Sequence, residues 1–275
     1  MLWKSPWPCC SRCCCVFNLK KPWPQRSSSD WQLFGLPLFS VLLFGQSQVN
    51  LSESTARKAA SLKVDFHSHT FHSSDSLTPI PALIQAARKR GLDKLVVTDH
   101  NSIGGALEAY KLAPDLIIVG EEVQTTQGEF LAAFVTVPLP KRLEPQEALK
   151  RLKDQGAFIS ISHPFDPQRS GWPLETLEWL APQLDAVEVR NARVIDANYN
   201  KLALEFAQSH NLPGNAGSDG HHQNEIGRCY TELPEFHDAE SLRAAMRFAR
   251  PMGRISSPLV HFYSVWARIK KSSAK

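Results

Sequence analysis

The chain has 275 residues, 43% hydrophobic and 21% charged, with a formal net charge of +4. That composition fits a globular protein and excludes a collagen-like, low-complexity or wholly disordered chain. Lys4, Arg12, Lys20, Lys21, Arg26, Arg57 and Lys58 face only Asp30 and Glu53 in the first sixty residues, so the rest is close to neutral and lacks a broad electrostatic footprint for nucleic acid.

Residues 1–60 carry Trp7-Pro8, Trp23-Pro24 and a serine run at 27–29, with no steady period, and read as an irregular extension. The apolar stretch 33–45 contains Gly35 and Pro37 and is short for a membrane span. Two readings stay open for it: an export or anchoring signal, or an extension that arises from a start assigned too far upstream. Cys9, Cys10, Cys13, Cys14 and Cys15 cluster there, and Cys229 is the sole cysteine elsewhere. A disulfide framework for the body is therefore excluded, and a reduced, cytoplasmic compartment is expected.

From Lys63 onward apolar runs and amphipathic segments alternate. Residues 62–64 read as a strand, and 79–90 as a helix with Thr78 as N-cap and Gly91 as stop. Strand 94–97, helix 103–112 and strand 116–119 follow. Residues 130–137 form another strand, ended by Pro138 and Pro140. Helix 144–155, strand 157–161, helix 174–180, strand 185–189, helix 194–210 and strand 212–216 complete the pattern. Repeated βα units imply a parallel sheet, and their number suggests a barrel in one domain over 61–275.

Five of these strands run directly into polar clusters: His67 and His69, Asp99 and His100, Glu121 and Glu122, His163, and Asp219 with His221. Parallel α/β proteins build their sites at the carboxyl ends of strands. His, Asp and Glu are ligands for divalent metals, and residues two apart on an extended chain, such as His67 and His69, share a face. Singly, each cluster has a plainer reading: a helix-capping Asp99, a solvated strand end at Glu121, a strand terminator at His163. Five in order point to a metal-dependent enzyme.

These residues resemble the PHP (polymerase and histidinol phosphatase) domain phosphoesterases, from about Val64 to the C-terminus. The resemblance rests on HSHT at 67–70, Ser74-Asp75, Leu77-Thr78-Pro79, TDHNS at 98–102, GEEV at 120–123, SHPF at 162–165, GSDGH at 217–221 and EIGRCYT at 225–231. VEVRNAR at 187–193 and the ending near Ser257 and Pro258 look like the stand-alone bacterial branch. The resemblance implies a distorted seven-stranded (β/α) barrel, similar to a TIM barrel, holding two or three divalent ions (manganese, zinc or iron). By position, His67, His69, Glu122 and Asp219 would hold one ion, Glu122 would bridge to a second with His163, and Asp75, His100 and His221 would hold a third. The chain departs from the pattern after the glutamate, where many members place a His; Glu129 stands there as a substitute ligand or as a solvent-facing charge.

Paired cations lower the pKa of a bridging water and neutralise charge in an in-line displacement, so no Ser or Cys nucleophile is needed. His67, His69, Glu122, His163 and Asp219 are the expected catalytic core, with Arg193, Arg169 and Arg228 as phosphate-gripping candidates. His72 and His222 read as exposed, and His210 and His237 as surface. The expected activity is phosphomonoester hydrolysis on a small phosphorylated metabolite or nucleotide, with no stable nucleic-acid complex and no membrane contact by 61–275. The alternatives are an exonuclease on short oligonucleotides, a silent metal-binding domain, and hydrolysis of a C–N bond. Against a processive nuclease stands the lack of an aromatic-basic stripe, the only basic tail being Arg268, Lys270, Lys271 and Lys275.

Overall fold

The computed structural model describes residues 61–169 and 171–273, so the expectations for residues 1–60 lie outside the described residues. Nine strands form one mixed sheet. They are β1 (Leu62–Asp65), β2 (Lys94–Val97), β3 (Ile117–Gln124), β4 (Glu129–Ala133), β5 (Phe158–Ile161), β6 (Ala186–Asn191), β7 (Gly214–Gly217), β8 (Cys229–Leu233) and β9 (Arg250–Gly253). The helices are α1 (Ile80–Lys89), α2 (Gly104–Leu112), α3 (Pro145–Asp154), α4 (Leu174–Leu180), α5 (Ala197–Ser209), α6 (Ala239–Ala245) and α7 (His261–Ser272).

The sheet order is β7-β6-β5-β4-β3-β2-β1-β8-β9. Pairs β1–β2, β2–β3, β5–β6 and β6–β7 are parallel, whereas β4 is antiparallel to both β3 and β5, and β8 is antiparallel to β1 and β9. The sheet curls until the segment after β1 meets the end of β7. Phe66 N donates to Ala216 O at 3.2 Å, Asp219 N donates to His67 O at 2.7 Å, and Ser68 and Gly220 form a parallel bridge. The α/β class and the barrel-like curl agree with the sequence, but the strand count and the uniform parallel sense do not. A short β3–β4 connection forces an antiparallel hairpin, and the β8–β9 pair was not legible as strands.

Val64 and Phe66, Val96, Ile118, Ala133, Phe158, Ala186 and Leu233 fill the interior of the curl, with the Phe66 and Phe158 rings 6.0 Å apart. Outer layers pack Leu83 of α1 with Leu95 and Ile117 of the sheet, and Leu152 of α3 and Leu177 of α4 with Phe130. Fully burying each such side chain contributes about 1.5–3 kcal/mol before entropy is counted. Polar groups gather at the carboxyl ends of β1, β2, β5, β6 and β7, joined by Glu122 of β3 and Glu129 of β4.

Local differences have local causes. The N-cap of α1 is Pro79, not Thr78, whose hydroxyl instead donates to His221 O at 2.8 Å. Gly91, at φ +67°, ends that helix as expected. The helix expected from residue 194 starts at Ala197, capped by Asp196, whose side chain accepts from Asn198 N. The strand expected over 130–137 stops at Ala133, where Phe134 turns at φ +63°. Among the described residues, no helix is long and apolar enough to cross a membrane.

Candidate metal centre

β1 delivers His67 and His69 to one point. Their Nε2 atoms lie 3.1 Å apart, 3.2 and 3.4 Å from Glu122 Oε2, and 3.5 and 3.4 Å from Asp219 Oδ1. Four donors around one ion at 2.0–2.1 Å stand about 3.3–3.4 Å apart in a tetrahedral array, so these spacings match the edges of a metal site. Glu122 does not sit past the end of its strand. β3 runs on to Gln124 because β4 pairs with it throughout, from Gly120 opposite Ala133 to Gln124 opposite Glu129. The pleat then turns Glu122 inward, while Glu121 accepts from Leu139 N at 3.0 Å.

A second layer sets the tautomers. Glu188 Oε1 lies 3.0 Å from His67 Nδ1, which fixes a proton there and turns Nε2 inward. Ser73 Oγ donates to Asp99 Oδ1 at 2.9 Å and so receives the Nδ1 proton of His69 at 3.0 Å. His221 Nδ1 donates to Asp219 O at 2.8 Å, freeing its Nε2 toward Asp75 Oδ2 at 3.3 Å. His100 Nε2 lies 3.4 Å from the same oxygen, and its buried Nδ1 has no hydrogen-bond partner, facing Glu122 Oε2 at 3.1 Å. Asp75 Oδ1 is also buried and unpartnered. Orphaned polar atoms of this kind are costly unless an ion completes them.

Across the arc, His163 Nε2 stands 3.2 Å from Glu122 Oε1 and 3.4 Å from Glu129 Oε2. Glu129 is therefore buried at the start of β4 and aimed into the cluster, not into solvent. The expected groups (His67, His69, Glu122 and Asp219; Glu122 and His163; Asp75, His100 and His221) are each brought together, Glu129 joins the second, and His69 lies within ligand spacing of His100 and His221 as well. His163 and Asp219 hold positive φ values of +22° and +50°. Such strain persists where surrounding structure over-determines it, as the Glu188 contact to His163 N at 2.9 Å does here.

Electrostatics divide the arc. Burial opposes charge on His67, but Asp219, Glu122 and Glu188 outweigh it and raise its pKa well above the ordinary value. Burial and His221 push His69 down to about 4. Against burial, Arg169 and His67 hold Asp219 well below the carboxylate range, and His67 and His100 do the same for Glu122. Glu129 moves the other way, raised by burial and then by Glu122.

Sequence reasoning missed Glu188, Asn191, Ser73 and Ser162. A register shift in β6 between Glu188 and Arg190 lets Glu188 and Asn191, three apart, turn the same way. Asn191 Nδ2 then donates to Glu188 Oε2 at 3.1 Å and to Asp219 Oδ2 at 3.0 Å, and Ser162 Oγ donates to Glu122 Oε1 at 2.8 Å. A bulge leaves no periodic signal in one sequence.

The centre floors a cleft of about 340 Å³ whose walls carry Lys141, Arg169, Arg193, His261 and Arg268. Arg169 pairs with Asp219 and donates to Asn191 Oδ1 at 2.9 Å. Arg193 is buried and spends its guanidinium on Val260 O and Ser264 Oγ. Arg228 does not line the cleft, and its Nε donates to Ser256 Oγ at 3.4 Å. His72 pairs with Glu108, and His222 stacks on Tyr263. Burial pushes the Cys229 thiol up to about 12, which removes it as a nucleophile. A larger, shallow depression of about 730 Å³ on α1 holds no comparable titratable cluster.

The PHP domain model matches residues 65–204, and a model described as PHP-associated matches residues 197–251. Two uncharacterized proteins of Methanocaldococcus jannaschii are similar to the chain. One is 32% identical over 158 residues, covering 52% of this chain and 90% of its own length; the other is 35% identical over 181 residues, covering 64% and 72%. Among solved structures, PsfC of Pseudomonas syringae superposes with a TM-score of 0.57 at 18% identity, over 78% of this chain and 100% of that one. A candidate metal-dependent phosphoesterase of Bifidobacterium adolescentis gives 0.52 at 18%, over 66% and 95%. The lesion-specific endonuclease EndoQ of Pyrococcus furiosus gives 0.52 at 17%, over 72% and 60%. At these identities the structural matches speak to the fold.

Proposed function

We infer that this chain, which belongs to the PHP domain family, is a metal-dependent hydrolase that removes phosphate from a small phosphorylated metabolite or nucleotide. The observation that carries this reading is a buried arc of His and carboxylate donors at ligand spacing beneath a cationic rim. His67, His69, Glu122 and Asp219 would hold one cation, His163 and Glu129 a second shared through Glu122, and Asp75, His100 and His221 a third. Manganese, zinc or iron would suit this mixed imidazole and carboxylate set and would supply Lewis-acid polarisation of the phosphoryl group and activation of water.

The chain's own groups do the rest. Lys141 and Arg268 reach the cleft from different elements and can orient an anionic substrate, and Arg169 can neutralise charge beside Asp219. Burial, then Arg193 and Arg169, lower the pKa of His261 on the rim, which favours its neutral, proton-accepting form. A cleft of about 340 Å³ suits a mononucleotide-sized substrate better than a polymer enclosed along its length.

The test is phosphate release by the full chain supplied with manganese, across phosphomonoesters, nucleotides and short 5′-phosphorylated oligonucleotides, each beside a chelated control. Chelator-sensitive release from small monoesters is expected. Preferential shortening of the oligonucleotides would replace this reading by the exonuclease one, and metal binding without turnover on any substrate would leave a silent metal-binding domain.

A further inference from the structure

α7 is built inside out. Toward the body it presents small or polar groups: Ser264 and Ala267 are buried, and Arg193 donates to Val260 O at 3.2 Å and to Ser264 Oγ at 2.8 Å. Lys271 Nζ donates to the carbonyls of Phe71 and Ser73, and Arg268 reaches within 3.5 Å of Asp75. Away from the body α7 presents Phe262, Trp266 and Ile269, and the turn Pro258–Val260 just before it presents Leu259, all 52–68% exposed, with Val265 beside them at 50%. Spacings of three and four residues place Leu259, Phe262, Trp266 and Ile269 on one stripe. Single exposed apolar side chains are ordinary; a contiguous row on one helix marks an interaction surface.

Charge decides what covers it. α7 itself carries Lys270 and Arg268, the latter's side chain 63% exposed, and no acidic residue. A second copy of the same face would bring like charges together. Single-stranded nucleic acid stacks bases on ring faces; Phe262 and Trp266 offer two, but Leu259, Val265 and Ile269 offer none, and the Tyr263 ring already stacks on His222, with centroids 4.3 Å apart and planes 9° apart. An anionic bilayer surface accepts both features, aliphatic and aromatic groups in the headgroup–acyl boundary and Lys and Arg on acidic headgroups. At 12 residues α7 is about 18 Å long, too short to span a bilayer and suited to lying in its surface.

We propose that the outer face of α7 docks this protein on an anionic lipid surface, with the cleft mouth at the membrane. His261, Ser264, Val265 and Arg268 of the same helix line the cleft, so the docked helix is also a wall of the site.

The experiment is flotation of the full chain with phosphatidylcholine vesicles, with or without phosphatidylserine. The chain is expected to float with the anionic vesicles, weakly with the neutral ones, and less in high salt. Lys270→Glu should weaken partitioning by more than about fivefold, since it removes one attractive charge and adds a repulsive one. The triple variant Phe262→Glu, Trp266→Glu, Ile269→Glu should remain in the pellet; its circular dichroism should match that of the parent, since all three side chains point away from the body. A second variant, Trp266→Ala alone, should float measurably less. Failure to float with either vesicle, or flotation of the triple variant equal to the parent, would overturn the proposal, the latter by placing lipid binding elsewhere in the chain. A twofold mass in sedimentation equilibrium without flotation would overturn it in favour of a second copy. Trp266-dependent binding of a short oligonucleotide without flotation would do so in favour of nucleic acid.

Discussion

The His67–His69–Asp219 corner and the His163–Glu129 corner belong to one arc, yet they are held differently. In the first, each imidazole has its outer nitrogen occupied, by Glu188 or Ser73, and Asp219 is braced by Asn191 and Arg169. In the second, two carboxylates crowd one His, and burial with the Glu122 charge raises Glu129. The first corner is preorganised by neighbouring side chains. The second is poised by excess negative charge that a cation relieves. The expected consequence is a tight first site and a more labile second one.

The largest effect should come from the first corner. Asp219→Ala or His67→Ala should lower metal-dependent hydrolysis by at least on the order of 10²–10³ while circular dichroism stays native-like; undiminished turnover would sink the metal-centre mechanism. Next, Ser73→Ala should weaken metal affinity at the first corner by about 10–100-fold, read by competition with a chelator, because it unties His69. Glu188→Gln should weaken the first corner more than the second, since Glu188 orients the His67 ring at Nδ1 but holds His163 only through its backbone N; an equal loss at both corners would break the comparison.

Glu129→Gln should bind one fewer ion per chain by elemental analysis. It also removes a disfavoured buried charge, so the metal-free protein should melt about 2–4 °C higher. A normal stoichiometry would make Glu129 a bystander. The smallest effect is a pH slope. Burial, opposed by Arg193, pushes Glu225 up to about 7 from an ordinary 4.5. Between those values the folded state holds a proton that the unfolded state has released, so the stability of the metal-free protein falls as pH rises through this window. Glu225→Gln should flatten that fall in urea titrations, and an unchanged slope would assign it to other groups.

The residues that gather in the cluster were legible because short apolar strands and the polar residues behind them are local features. His67, His69, His100, His163, Asp219 and His221 needed only strand direction and spacing to be nominated. Glu129 could not be resolved, because the same residue before a strand is either solvent-facing or inward, and pairing with β3 decides which. Arg193 looked like a phosphate ligand from its place after a strand. Its contacts with α7 depend on a helix seventy residues away in sequence.

The sequence by itself determined the order of the parallel βα units, the set of His and carboxylate groups at their ends and the family, since each rests on residues close together along the chain. Only the tertiary structure decided that β4 and β8 run antiparallel, that a bulge in β6 sets Glu188 and Asn191 beneath the ligands, and that α7 turns its apolar side outward. Those outcomes depend on which distant segments pair and pack, and the free energy of such contacts is not written in any local period.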